Sequence, residues 1–289
     1  SGDHFGRIIW MRYAGNTDKD YQWYFNNGHK GEASLFSKLS YSLTENLTFF
    51  GDLQYRHISY ELSGNDDDLK DISQVHRYNF INPKAGLFFK TDEHNEVFVS
   101  FSVAGREPTR TDFKEASGDP DAMPHTEKLF DTEAGYKFTG EKFLMSLNLF
   151  WMNYRDQLVP TGELSSTGYP IQTNVEKSYR TGIELGTGLL ITGSAGWDAN
   201  ITLSRNKISD FTEYYTDYNT SDWTQEYKSR KLGTVDLAYS PEVIAGSDLW
   251  FKPHRMVAIH LIGKYVGKQY FDNTMNEARK LDPYFVNNI

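Results

Sequence analysis

Apolar and polar residues alternate with period two in runs of roughly five to ten residues along most of the chain. Val97, Val99, Phe101 and Val103 are separated by Phe98, Ser100 and Ser102; Trp197, Ala199, Ile201 and Leu203 by Asp198, Asn200 and Thr202. Phe143 to Trp151, Leu47 to Tyr55, Val257 to Tyr265 and Phe130 to Phe138 repeat the pattern. A period of two places each set on one face of a β-strand. About eleven strands and the start of a twelfth are predicted, with no helix of length, no short internal repeat and no domain boundary.

The polar rows decide what kind of sheet this is. Asp52, Arg56, Asp131, Glu133, Glu184 and Asp198 occupy the face opposite the apolar rows. Such charges cannot line a dry sandwich core without large desolvation costs, but they can line a wide bore. Connections point the same way. Thr44-Glu45-Asn46, Asp92-Glu93-His94-Asn95, Gly140-Glu141 and Thr192-Gly193-Ser194 read as short turns, and Pro241 to Asp248 as a longer one. Between them lie long polar stretches near 14–30, 63–77, 107–125, 157–170, 214–228 and 272–282. Short turns at one end and long loops at the other are the connectivity of transmembrane β-barrels. The expected fold is therefore all-β, a transmembrane antiparallel β-barrel, set against a passive porin-like channel and a soluble β-rich binding module.

Composition narrows the function. Hydrophobic residues make up only 38% of the chain while aromatics reach 15%, with 19 Tyr, 19 Phe and 6 Trp, and mean hydropathy is -0.61. That combination suits an aromatic girdle around a polar lumen. The net charge of -9 argues against nucleic-acid binding. Without cysteine there is neither a disulfide framework nor a thiolate metal site. The chain opens on Ser1-Gly2-Asp3-His4, so it is expected to begin inside a longer precursor.

Several segments resemble TonB-dependent receptors, especially those of Bacteroidetes-type bacteria. Asn82-Pro83-Lys84-Ala85-Gly86-Leu87, followed by Val99-Ser100-Phe101-Ser102 and Gly105-Arg106-Glu107-Pro108, is similar to the family passage P-x-x-G-L … Y-x-S-x-S-x-G-x-R-x-P. Glu133-Ala134-Gly135-Tyr136-Lys137 and Phe150 to Leu158 resemble E-x-G-Y-K … F-x-M-x-Y-x-D-Q-L. Tyr179-Arg180-Thr181-Gly182-Ile183-Glu184, Tyr239-Ser240-Pro241 and Gly267 to Thr274 complete the series. No single motif is specific; their order and spacing are. The resemblance implies that residues 1–289 are the C-terminal portion of a plugged barrel of about 22 strands, with the N-terminal plug domain and the last strands absent. It further implies an outer-membrane location and energy from TonB. Its implied partners are the plug, outer-membrane lipid and lipopolysaccharide, and a small nutrient ligand, first of all an iron–siderophore complex.

Candidate chemistry is sparse. Gly182 to Gly188 contains a GxG, but strand alternation runs through it and no helix follows. Asn65-Asp66-Asp67-Asp68 lacks calcium-loop spacing and reads as a loop tip. The eight His residues show no paired ligand spacing, although His29, His125 and His254 are placed near loops where they could touch an iron complex. No catalytic residue, cofactor or metal site is expected. The aromatic loop segments Tyr21, Trp23, Tyr24 and Tyr214, Tyr215, Trp223 suit capture of an amphipathic ligand. Arg106 and Arg110, where a strand enters a long loop, suit an anionic one. Girdle, loop packing or lipopolysaccharide contact is the competing role for these residues. Arg56, Arg180 and Glu184 are expected to meet the plug.

Overall fold

Exposed branched and aromatic side chains alternate with polar ones in most of the long strands, so neither face of the sheet is an ordinary buried core. The computed structural model describes residues 24–66, 69–116, 123–164, 170–218 and 224–289. Eleven of the β-elements lie before the short closing segments: β1 Phe25–Ser42, β2 Leu47–Asn65, β3 Gln74–Lys90, β4 Asn95–Arg106, β5 Glu127–Thr139, β6 Phe143–Leu164, β7 Pro170–Thr192, β8 Ala195–Tyr218, β9 Gln225–Asp236, β10 Val243–His254 and β11 Val257–Val266. A single helix among the described residues, α1 Arg110–Ala116, stands between β4 and β5; β12 Gln269–Tyr270, β13 Lys280–Leu281 and β14 Tyr284–Asn288 follow β11.

The long strands pair antiparallel, β1 to β8 each with its sequence neighbour and then β10, β11 and β14 in turn, while β9 also pairs with β8. β9 takes Lys207 to Tyr218 of β8 and β10 takes Ala195 to Leu203. They are therefore two halves of one strand position, interrupted by an inward turn at 237–242. The sheet does not close on itself. β12 and β13 form a separate two-stranded ribbon.

Val97 is 38% exposed, Trp197 41% and Val257 48%, so the apolar rows are not a protein interior. On the other face, a concavity of 640 Å³ is lined from β5 to β11 by Lys137, Ser146, Gly186, Asn200, Gly246 and Lys264. One hollow reaching across six strand positions means that the sheet curls toward its polar face. Glycines and aromatics are paired on this face: Phe50 opposite Gly86, Phe98 opposite Gly135, Phe150 opposite Gly182 and Trp250 opposite Gly196. A Cβ on Gly182 would lie 2.7 Å from Phe150 Cζ and 2.4 Å from the Leu203 carbonyl, so the ring lies flat where only hydrogen leaves room.

Strands β6, β7 and β8 run 22, 23 and 24 residues, about twice the roughly 9–11 needed to cross a bilayer. The expected loops at 157–170 and 214–228 are therefore largely strand, and only 165–169 and 219–224 separate the elements. The short turns fall where the sequence places them, with one correction. Pro241 to Asp248 is not a turn: β10 starts at Val243, and the hairpin reverses at Arg255-Met256. Pro241 precedes the strand, where its missing N–H leaves no ladder bond unmade.

Above the apolar rows the alternation changes phase. Asp156 and Asp210 have φ of 53°, a left-handed conformation that Asp tolerates better than most residues. Below Asp210 the even residues Ser204, Asn206 and Ile208 face the polar side. Beyond it Phe211 joins Ile208 in one buried cluster with Val159, Val175, Val235 and Leu237. Likewise Ser178 Oγ, on the row of Arg180, donates to Gln157 Oε1 beyond Asp156. At Asp210 the register to β9 shifts between Ile208 and Phe211, a bulge that flips the strand. At Asp156 the side-chain phase reverses while the register to β7 runs on unbroken, and both reversals turn apolar residues inward above the sheet's waist.

Candidate functional site

The long-loop end of the sheet is closed over by three inward-folding segments. The first carries α1. Its start is a capping box: Thr109 N and Oγ1 both donate to Asp112 Oδ2, at 2.6 and 2.8 Å. Phe113 is fully buried against Tyr60 and Leu62 of β2, and the His76 ring of β3 stacks on it at 4.0 Å. Ion pairs fix the segment at both ends. Lys114 Nζ meets Asp66 Oδ2 at 3.0 Å, and Lys30 Nζ meets Glu107 Oε1 at 2.6 Å. Arg56 donates to Glu32 Oε1 at 2.8 Å and approaches Glu107 Oε2 at 4.0 Å.

The second segment is the 237–242 turn, held by Arg180 Nη1 donating to Ser240 Oγ at 3.3 Å. The third runs from Gly267 to Pro283. Asn273, 0% exposed, donates from Nδ2 to the Pro160 carbonyl at 2.6 Å and accepts the Ala238 N–H at 2.7 Å. It thereby ties the 267–283 segment to the 237–242 turn and to β6. Burial alone would raise the Asp272 carboxyl, but donation from Thr274 and Arg279 outweighs it and holds the group below its ordinary range. Lys280 and Tyr270 pull the Glu277 carboxyl down to about 2.

Of the residues singled out from sequence, Tyr21, Trp23 and Trp223 lie outside the described residues, as do Asp67 and Asp68. Arg110 opens α1 and donates from Nη2 to Asn26 Oδ1 at 2.6 Å, which brings it to the start of β1. Arg106 donates to Glu127 Oε2 at 2.9 Å on the next strand. Tyr214 and Tyr215 share the far end of β8, both exposed, seven strand positions from β1; they form a second, separate group. Asp66 is buried and ion-paired instead of standing at a loop tip. His29 and His125 lie at the long-loop end, but His254 sits beside the Arg255-Met256 turn at the opposite end, so it cannot join them. Asn273, Phe113 and the Glu107 network were missed. Only the Thr109-x-x-Asp112 capping pattern signalled one of them.

The arrangement is a concave polar face with an aromatic and guanidinium-bearing rim. No cluster of three or more potential metal ligands occurs among the described residues.

Solved structures of longer chains share this architecture. Sequence comparison with curated proteins gives no match. The closed form of the ferric-catecholate import receptor Fiu from K12 E. coli superposes with a TM-score of 0.65 at 15% identity, covering 91% of this chain and 38% of that one. The siderophore receptor PiuA from Acinetobacter baumannii gives 0.69 at 15%, covering 91% and 36%. The copper transporter OprC gives 0.65 at 15%, covering 90% and 38%. The chain thus spans under two-fifths of the length of these structures, which share its fold. The family model for the TonB dependent receptor-like β-barrel matches residues 3–289, and the chain belongs to that family.

Proposed function

We propose that this chain is the C-terminal portion of the barrel of an outer-membrane transporter that binds a scarce nutrient and imports it with TonB-derived energy. The barrel does no covalent chemistry. It supplies an apolar belt, a polar conduit and part of the extracellular binding mouth, while the parent protein's plug fills the bore. The observation that carries this reading is the two-faced sheet, apolar and exposed on one side and ionic on the concave side, with long strands that rise well beyond a bilayer. An iron–siderophore complex is the favoured cargo, supported by the siderophore receptors among the structural neighbours. The ligand would meet Arg106 and Arg110 on one side and Tyr214 and Tyr215 on the other, with Tyr21, Trp23, Tyr24 and Trp223 near them in sequence.

Deleting the gene should slow growth under iron limitation and abolish uptake of radiolabelled ferric siderophore. Unchanged uptake across a panel of siderophores would refute the iron assignment. Uptake that persists after loss of TonB would refute energised transport.

A further inference from the structure

The outward face of β5 to β8 carries an arrangement that neither the polar conduit nor a uniform lipid belt accounts for. Lys128 stands directly opposite Arg155, and Arg155 directly opposite Lys177, three cations in cross-strand register and all exposed. Side chains so placed have Cβ atoms about 5 Å apart, and like charges there repel. Lys177 meets Glu176 at 3.4 Å, a contact between two highly exposed groups. Lys128 and Arg155 have no carboxylate within 4.0 Å among the described residues; both lean on the Phe130 ring, at 5.6 and 5.2 Å from its centroid. A hollow of 400 Å³ lies at this level, lined by Phe130, Asn153, Arg155, Lys177, Tyr179 and Ser209.

Immediately below it, on the same strands and the same face, is a groove of 660 Å³. Ala134, Leu149, Trp151, Ile183 and Leu203 line it, with Thr132 and Thr181 small enough to leave it open and exposed Arg205 at its rim. The register runs continuously from one to the other: Phe130, Asn153 and Tyr179 stand one row above Thr132, Trp151 and Thr181. Cations above an apolar trough match a molecule with an anionic head and hydrocarbon tails.

We infer that this face is a binding site for a phosphorylated lipid of the surrounding leaflet. Its phosphate oxygens accept from Lys128, Arg155 and Lys177, and an acyl chain lies in the groove beside Trp151. Phosphate relieves the repulsion among the three cations and offers guanidinium a planar pair of acceptors. A free phosphate would use the head pocket alone and leave the groove out of the account. The inference rests on the outer-membrane reading above.

The test uses the whole receptor in mild detergent, titrated with bisphosphorylated lipid A and with its dephosphorylated form, bound lipid being counted by native mass spectrometry. The phosphorylated form should bind about tenfold or more tightly. The triple variant Lys128→Gln, Arg155→Gln, Lys177→Gln should lose that preference, while Lys128→Arg with Lys177→Arg should keep it. Equal binding of the two lipids, an unchanged preference in the triple variant, or full competition by inorganic phosphate would each overturn the inference. Membrane fractionation of the same strains keeps the two readings apart: a receptor located in the outer membrane but indifferent to lipid phosphate sinks this inference alone.

Discussion

Arginine placed at Ile201 and, separately, at Asn200 would probe the two faces of β8 with one step along the chain. Ile201 lies on the outward row between Leu185 of β7 and Ala245 of β10. It is well inside the apolar band, which runs on this strand from Trp197 to Leu203. An arginine at such a depth on the lipid face of a barrel costs about 2–4 kcal/mol, a shift of roughly 30- to 900-fold in the folded-to-unfolded ratio. Asn200 faces the bore between Gly186 and Gly246, whose missing side chains leave space, and it lines the 640 Å³ concavity. Arginine there meets the polar side of the sheet in place of hydrocarbon and should cost clearly less than at Ile201. The assay is denaturant titration of the whole receptor refolded into lipid vesicles, with folded barrel scored by its heat-modifiable gel mobility. Destabilisation by Asn200→Arg equal to or larger than that by Ile201→Arg would invert the assignment of faces and refute the membrane reading.

Three further outcomes follow from the mouth of the sheet. Asn273→Ala strips partners from the buried Pro160 carbonyl and Ala238 N–H, about 1–3 kcal/mol for each group left unpaired; hydrogen exchange should speed markedly across 267–283 in the intact receptor, and unaltered protection would count against the lock. Asp210→Val forces a β-branched residue into φ of 53° at about 1–3 kcal/mol, whereas Asp210→Gly should be neutral or nearly so; thermal melting of the two variants decides it, and equal effects would exclude the bulge argument. Glu277 has a folded-state pKa lowered from 4.5 to about 2, so its contribution is present above the unfolded value and is lost as pH falls between them. Protease protection of the 267–283 segment should therefore weaken from about pH 4.5 toward pH 2, and Glu277→Gln should flatten that dependence.

The lower half of the molecule was legible because water and hydrocarbon impose opposite demands on successive residues, and a period of two is the only pattern that satisfies both. That is why Val97 to Val103 and Trp197 to Leu203 read correctly from sequence alone. Turn chemistry was less dependable. Pro241 with the nearby Gly246 and Ser247 looked like a reversal, yet Val243-Ile244-Ala245 continue the ladder, and the true hairpin at Arg255-Met256 carries no Gly, Pro or Asn at its centre. The mouth was hardest. Strand above a membrane meets water or protein on both faces, so polar runs such as 157–164 and 209–218 resemble loops although they stay paired. Nothing in Asp156 or Asp210 as letters announces a left-handed backbone.

Those two aspartates explain how one continuous strand serves two solvents. In the band crossed by Leu149, Ile183 and Leu203, apolar side chains must point out, and Asn148, Glu184 and Thr202 line the bore. Higher up no hydrocarbon surrounds the sheet, so an outward apolar row would be exposed to water at about 25 cal/mol per Å². Reversing the phase turns Val159 and Phe211 inward, where they pack with Val175, Ile208, Val235 and Leu237. The 237–242 turn and the Asn273 segment then rest against these strand ends. These phase reversals place the boundary between a lipid-facing sheet and a self-packed mouth at one height on β6 and β8. The cation row of Lys128, Arg155 and Lys177 falls at that same height, where the headgroups of a surrounding leaflet would be.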